Sequence, residues 1–263
     1  MTMDKNKSAY KLKGLPPIYY LNLDGQPERK QYIEDQFAYW EVENYERISA
    51  YDGREDDLSD IIQGKYPDSM TSGEIGCTTS HLKAIKHWME TSDSDYAIIC
   101  EDDVNFETVS HWNFTWKNAF SMFPYDFDVI QLAIINPGSI HINIHKRFVN
   151  DFSTAAYIIT RHHAVKLLKY HVRGEKYKLD NGVKPRAVAD DLIYNSGNTY
   201  SIPLFHYKIE LGSSIHPDHI EIFHRQSHNG ILGFWKNESN KLSDFKVLFE
   251  YDPYLGRMPP ETT

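Results

Sequence analysis

The sequence predicts an α/β domain: a mostly parallel central sheet flanked by helices. Three observations carry this. Apolar runs of strand length alternate with segments of helical periodicity. Gly, Pro and Asp punctuate the junctions. The 263 residues, 41% apolar and 25% charged, suffice to bury a substantial core. No repeat or low-complexity tract breaks the alternation.

The run "IYYLNLD" (18 to 24) ends at Asp-Gly and reads as a first strand. Pro27 then opens a helix with Ile33, Phe37 and Trp40 at helical spacing. "YERISAYDG" reads as a second strand and turn. "TSGEIGCTTSHLKAIKHWME" carries a capping-box pattern, Thr71-x-x-Glu74, ahead of Ile75, Leu82, Ile85 and Met89. "DYAIICEDD" reads as a strand, "HWNFTWKNAFSMF" as a helix, "FDVIQLAI" and "STAAYIIT" as strands. "RHHAVKLLKY" and "VADDLIYNS" read as helices, and "YSIPLF" as a last apolar strand. The polar, turn-rich stretch 174 to 184 is expected to be a mobile loop. These readings divide the chain into a polar N-terminal arm (1–16), the α/β domain (17–216) and a C-terminal extension packing on it (217–263).

The formal charge of −9 argues against a nucleic-acid partner, which calls for a basic footprint. It does not oppose an anionic ligand, because a bound divalent cation reverses the local sign. Two cysteines, Cys77 and Cys100, show no metal-like C-x-x-C spacing and read as buried free thiols of a reducing compartment. The N-terminus lacks an apolar signal core, and no run approaches the ~20 apolar residues of a membrane span. A cytoplasmic protein is therefore expected, in a bacterium or a virus-infected cell. The "NFT" and "NES" sequons at Asn113 and Asn237 then read as chance. Aromatics, at 14%, suit a sugar-stacking surface and an ordinary core equally.

Chemistry concentrates at "AIICEDDVNF". Glu101, Asp102 and Asp103 end a buried strand, and open α/β sheets bind ligands at the carboxyl ends of their strands. In extended backbone Glu101 and Asp103 point the same way and could share a hard cation, Mn²⁺ or Mg²⁺, with Asp102 facing elsewhere. A solvated acidic turn is the alternative for the triplet alone.

The order "IYYLNLDGQPER", "RISAYDG", "GEIGCTTSHLKAIKHW", "YAIICEDDV", "FDVIQL", "STAAYIITRHHAVKLL" and "VADDLIYNS" resembles glycosyltransferase family 25. That family includes bacterial lipooligosaccharide galactosyltransferases and collagen galactosyltransferase domains. The resemblance spans roughly residues 17 to 216 and is most specific from Gly73 through Val104. It implies a GT-A-type nucleotide-diphosphosugar transferase fold. It also implies an inverting, metal-dependent transfer of galactose or glucose from a UDP-sugar to a glycan or hydroxylysine hydroxyl. By the same resemblance Glu101 and Asp103 ligate the metal and Asp102 contacts the donor. A late histidine completes the metal site: His206 in "PLFHY", with His216 its competitor. The run "HPDHIEIFHRQSHNG" otherwise reads as polar surface. Asp191 is the expected base, Asp190 its alternative, against a plain reading of both as helix-capping aspartates. Asn22, Asp24 and Arg29 resemble the opening donor motif, though Arg29 could instead pair with Asp24 or Glu28. Ser80 and His81 match the Ser-His that faces donor, unless they only anchor their helix. The Gly that commonly opens the "STAAY" segment is here Ser153.

Two other readings compete. One is a catalytically inactive sugar-nucleotide- or glycan-binding domain of the same fold, and the other a metal-dependent phosphohydrolase. The C-terminal extension could cover the acceptor site, join two protomers as a homodimer, or merely pack.

Overall fold

Strand β1 (Ile18–Leu23) is buried almost throughout because the sheet covers both its edges and helices cover both its faces. The computed structural model describes residues 6–64, 70–136, 138, 140–179, 188–212 and 224–253. Helix α1 (Pro27–Tyr39) starts with Pro27 in its first turn and buries Arg29, Ile33 and Phe37, four residues apart on one face. Arg29 thus belongs to the inward face and reaches the end of the sheet from the helix N-terminus.

Strand β2 (Tyr45–Ala50) leads through the Gly53 turn to helix α2 (Ser72–Thr91). The capping box forms as expected: Thr71 Oγ1 accepts from Glu74 N–H at 3.2 Å, and Glu74 accepts from Thr71 N–H at 2.8 Å. The first turn of α2 lies close against the preceding turn. A Cβ on Gly76 would stand 2.6 Å from Gly53 N and 2.7 Å from Tyr51 O, so glycine is required for this approach.

Next follow β3 (Tyr96–Glu101), the short β4 (Val104–Asn105), α3 (Trp116–Phe120), β5 (Val129–Gln131), β6 (His145–Lys146) and β7 (Ala156–Thr160). Then come α4 (Arg161–His171), the hairpin β8 (Val172–Arg173) and β9 (Lys176–Tyr177), α5 (Ala189–Tyr194), β10 (Thr199–Ser201), β11 (His206–Tyr207) and α6 (Arg225–Gly233). The seven-stranded sheet runs β2-β1-β3-β7-β5-β10-β6. Strands β2, β1, β3, β5 and β10 share one direction, whereas β7 and β6 oppose their neighbours. This is a GT-A-like arrangement, mostly parallel in strand direction.

One core layer, under α2, α4 and α5, holds Leu82, Ile85, Trp88 and Tyr157; the other holds Trp112, Phe114, Phe205 and Trp235. C-terminal Ile231, Trp235, Leu248 and Phe249 are part of the second layer. Near the N-terminus, Ala9–Leu12 form a 3₁₀ turn whose buried Lys11 ammonium donates to the carbonyls of Val109, Ser110 and Trp112. That segment is therefore anchored rather than a free arm, and burial lowers the Lys11 pKa.

Four elements differ from expectation, the first being "YSIPLF", which pairs as a strand only as far as Ser201 and is followed by β11. Within 111–123 only Trp116–Phe120 is α-helical, because Trp112, Phe114 and Trp116 all turn into the aromatic layer. "FDVIQLAI" pairs only at Val129–Gln131. The stretch expected to be a mobile loop begins as the β8–β9 hairpin. It turns at Gly174 (φ +61°) and is tied to Gln63 N–H by the Tyr177 carbonyl at 2.8 Å. Its later part, 180 to 184, lies outside the described residues.

Candidate active site

The carboxyl ends of β1, β2 and β3, the segment entering β7, the start of α5 and strand β11 enclose one cleft of about 480 Å³. That volume lies in the range of small-molecule sites. Among the residues read from the sequence, Asn22, Arg29, Ser80, His81, Glu101, Asp102, Asp103, Asp190 and Asp191 all line it. Asp24 does not: it turns outward to Arg47 and Ser49.

Asp102 is locked in place. Its Oδ1 accepts from Arg29 Nε at 2.7 Å, with Arg29 Nη2 at 2.6 Å, and its Oδ2 accepts from Asn22 Nδ2 at 2.7 Å. With both oxygens held, Asp102 has the geometry of an anchor for β1 and α1 rather than of a donor-binding group. Arg29 also reaches Asp103 Oδ2 at 3.2 Å and donates to the carbonyls of Leu211 and Gly212. It therefore pairs with the acidic motif, and not with Asp24 or Glu28. Burial alone would lower the Arg29 pKa, and the carboxylates of Asp103 and Asp102 more than reverse that.

Asp103 keeps one oxygen, Oδ1, buried without a donor. Burial and the neighbouring Glu101 carboxylate push its pKa up to about 7 against the opposing pull of Arg29. Glu101 accepts from Thr154 Oγ1 at 2.8 Å. Burial would raise its pKa, but the nearby His81 ring and the Thr154 hydroxyl hold it below the usual carboxylate range.

Opposite, Asp190 and Asp191 open α5. Asp190 Oδ1 accepts the Asp191 N–H at 2.9 Å, and Asp191 Oδ1 accepts from Asn195 Nδ2 at 2.8 Å. Burial pushes the Asp190 carboxyl up. Arg147 places Nη2 3.9 Å from both carboxylates while its guanidinium lies over the Tyr194 ring. Sequence reading passed over Arg147, because β6, which precedes it, is too short to announce itself. It likewise passed over Tyr207, took Thr154 only as part of the "STAAY" segment and read His224 as polar surface, whereas all three line the cleft.

Ser80 takes the anchoring role: its Oγ accepts Tyr51 N–H at 2.8 Å and donates to Gly76 O. His206 does not line the cleft. In β11, side chains alternate; Tyr207 faces the cleft, so His206 faces the opposite way, its ring 5.1 Å from that of His228. Its competitor His216 lies outside the described residues. His206 is 2% exposed and its pKa falls to about 4, first through burial and then through His228. Because the folded value lies below the unfolded ~6.5, neutral His206 stabilises the fold above pH ~6.5, and this is lost as pH falls toward 4. We expect the stability advantage of wild type over His206→Gln to shrink by up to about 3 kcal/mol over that window, as read from urea midpoints.

Ser153 occupies the cleft wall with φ +94°, a backbone state suited to glycine. The loop is held there because the Ser153 carbonyl accepts from Tyr194 Oη at 2.9 Å and Gln131 Nε2 at 3.0 Å. These two hydrogen bonds thus hold a positive φ with serine at the position. Ser153→Gly is expected to raise stability by roughly 0.5–1 kcal/mol. The Ser153 Oγ contact with Ala155 N–H offsets part of the gain. A lower denaturation midpoint would show that this contact outweighs the strain.

Among the described residues no helix is long and apolar enough to cross a membrane. Among curated proteins none matches the chain. A solved structure, A197 from STIV, is similar with a TM-score of 0.42 and 10% identity, over 73% of this chain and 83% of that one. A likeness of that size carries no argument about the site. The family described as "Glycosyltransferase family 25 (LPS biosynthesis protein)" matches residues 15–181, which take in β1, the whole of α2 and the acidic end of β3. With that match over more than half of its length, the chain belongs to glycosyltransferase family 25.

Proposed function

We propose that this glycosyltransferase moves galactose or glucose from a UDP-sugar to a hydroxyl of a glycan, with inversion at the anomeric carbon. The carrying observation is that two separate acidic sets, Glu101 with Asp103 and Asp190 with Asp191, line one cleft of ligand size. A hydroxylated peptide is the other acceptor class, and the family's description as an LPS biosynthesis protein favours a glycan.

The first set fits a divalent cation, Mn²⁺ or Mg²⁺. Asp103 Oδ1 is buried without a donor beside Glu101, and hard cations take carboxylate oxygens. Such an ion, when bound, neutralises the charge growing on the departing nucleoside diphosphate. Arg29 keeps Asp102 and Asp103 in place and offsets their mutual repulsion. On the other wall Asp191 is the proposed base. Asp190 is engaged by backbone donors, whereas Asp191 is the more exposed of the two. Asp191 would accept the proton of the acceptor hydroxyl as its oxygen attacks, and Arg147 would keep the resulting carboxylic acid oriented.

The test is UDP release from a panel of UDP-sugars with Mn²⁺ and a glycan library, products read by mass spectrometry. Turnover with UDP-galactose or UDP-glucose is expected. Donor binding without turnover would favour the inactive binding domain. The cation arm has a separate readout. Because Asp103 holds its proton up to about pH 7, Mn²⁺ should raise the melting temperature more at pH 8 than at pH 6. An equal shift at both values would remove Asp103 from the cation site.

A further inference from the structure

A second donor set converges on Glu101. Cys77 and His81 are four residues apart on α2 and therefore share a helix face. The Cys77 Sγ, one ring nitrogen of His81 and a Glu101 carboxylate oxygen lie within 4.8 Å of one another. His81 is 0% exposed, and the nearest partner of its Nε2 is Glu101 Oε1 at 3.6 Å, an ion-pair distance but beyond hydrogen-bond reach. A fully buried imidazole nitrogen left unsatisfied is costly and calls for an explanation.

We propose that Cys77, His81 and Glu101 form a binding site for a thiophilic divalent ion of the zinc class, distinct in ligand chemistry from the oxygen-only site at Asp103. The spacing suits it. Zinc bonds of about 2.0–2.3 Å place tetrahedral ligands roughly 3.3–3.6 Å apart, and His81–Glu101 already stands at 3.6 Å. The separations, none above 4.8 Å, need at most about 1 Å of closure to reach that spacing. The outer shell is built as well. With the proton on Nδ1, the Tyr157 hydroxyl oxygen at 3.1 Å accepts it, which leaves the Nε2 lone pair aimed at the ion. Thr154 holds the Glu101 carboxylate at 2.8 Å. All three ligands line the cleft, so a fourth position faces the open space. Binding converts the Cys77 thiol to a thiolate and releases one proton to solvent. Nitrogen and sulfur donors select Zn²⁺ or Co²⁺ over Mg²⁺ and Mn²⁺. Because the two sites share Glu101, zinc should compete with the hard cation.

This inference rests on the donor geometry and not on the sugar-transfer reading, and its test uses the whole chain without any nucleotide sugar. Co²⁺ added to the reduced protein is expected to give a thiolate-to-cobalt charge-transfer band that Zn²⁺ abolishes at one equivalent. Cys77→Ser should lose the band and weaken Co²⁺ binding by at least the ~10-fold that loss of even an outer-shell partner costs. Cys100→Ser, whose sulfur is buried in the opposite core layer, should keep it. X-ray absorption of the wild-type zinc complex needs no variant and should report one sulfur and one imidazole ligand. An all-oxygen shell, or a band unchanged in Cys77→Ser, would overturn the proposal.

Discussion

Arg29→Met is expected to destabilise the fold by about 3–5 kcal/mol, a large share of a domain's usual 5–15 kcal/mol. The guanidinium is buried at the centre of the acidic motif, 2.6 Å from Asp102 and 3.2 Å from Asp103. Methionine fills much of the volume but leaves both carboxylates without their cation. It also releases the carbonyls of Leu211 and Gly212, which Arg29 ties to α1. The loss should depend on pH in a defined direction. Asp103 titrates near pH 7 with Arg29 present, and removing the cation can only raise that value. Below pH 7 both proteins hold a proton on Asp103; above it the wild type ionises Asp103 beside Arg29, whereas the variant must keep the proton or bear the repulsion with Glu101 and Asp102. Urea denaturation at pH 6 and pH 8 should therefore show the larger loss at pH 8. A loss under about 1 kcal/mol at both values would mean that water, not Arg29, balances the carboxylates.

Asp191→Asn is expected to lower kcat by roughly 10²–10⁴, the contribution of a positioned general base. Donor affinity and melting temperature should hardly move, because the amide keeps the size of the carboxylate and Asp191 lies at the cleft wall. Asp190→Ala should behave differently. Asp190 satisfies the Asp191 N–H, so its truncation should cost about 1 kcal/mol of stability along with activity. Retention of activity within tenfold in Asp191→Asn, with a collapse in Asp190→Asn, would reassign the base to Asp190.

Much of this was legible before the structure. The capping box, the Pro27 helix start and the strands around Ile18 and Ile98 follow from short-range rules, and each forms where expected. The acidic end of β3 was found for the same reason: a carboxylate run after a buried strand is a local pattern. The short strands were not legible. β4, β6 and β11 have two residues each, too few for any periodicity, and exist because a neighbouring strand offers them partners. The reversed direction of β7 is equally invisible, since a buried strand reads the same in either orientation.

The division is clearest at the site. The chain order alone revealed an acidic motif, a Ser-His helix and a late aspartate pair, and the family match takes in the first two, within residues 15–181. Only the tertiary structure decided which of them share a cleft. It turned Asp24 outward and His206 to the far face of β11, because side-chain direction is set by pairing register and packing, not by proximity in sequence. It set Arg29, distant in sequence, against Asp102 and Asp103, where a buried charge demands a partner. And it brought Cys77 and His81 of one helix to Glu101 of a strand, which no spacing rule for cysteine announces.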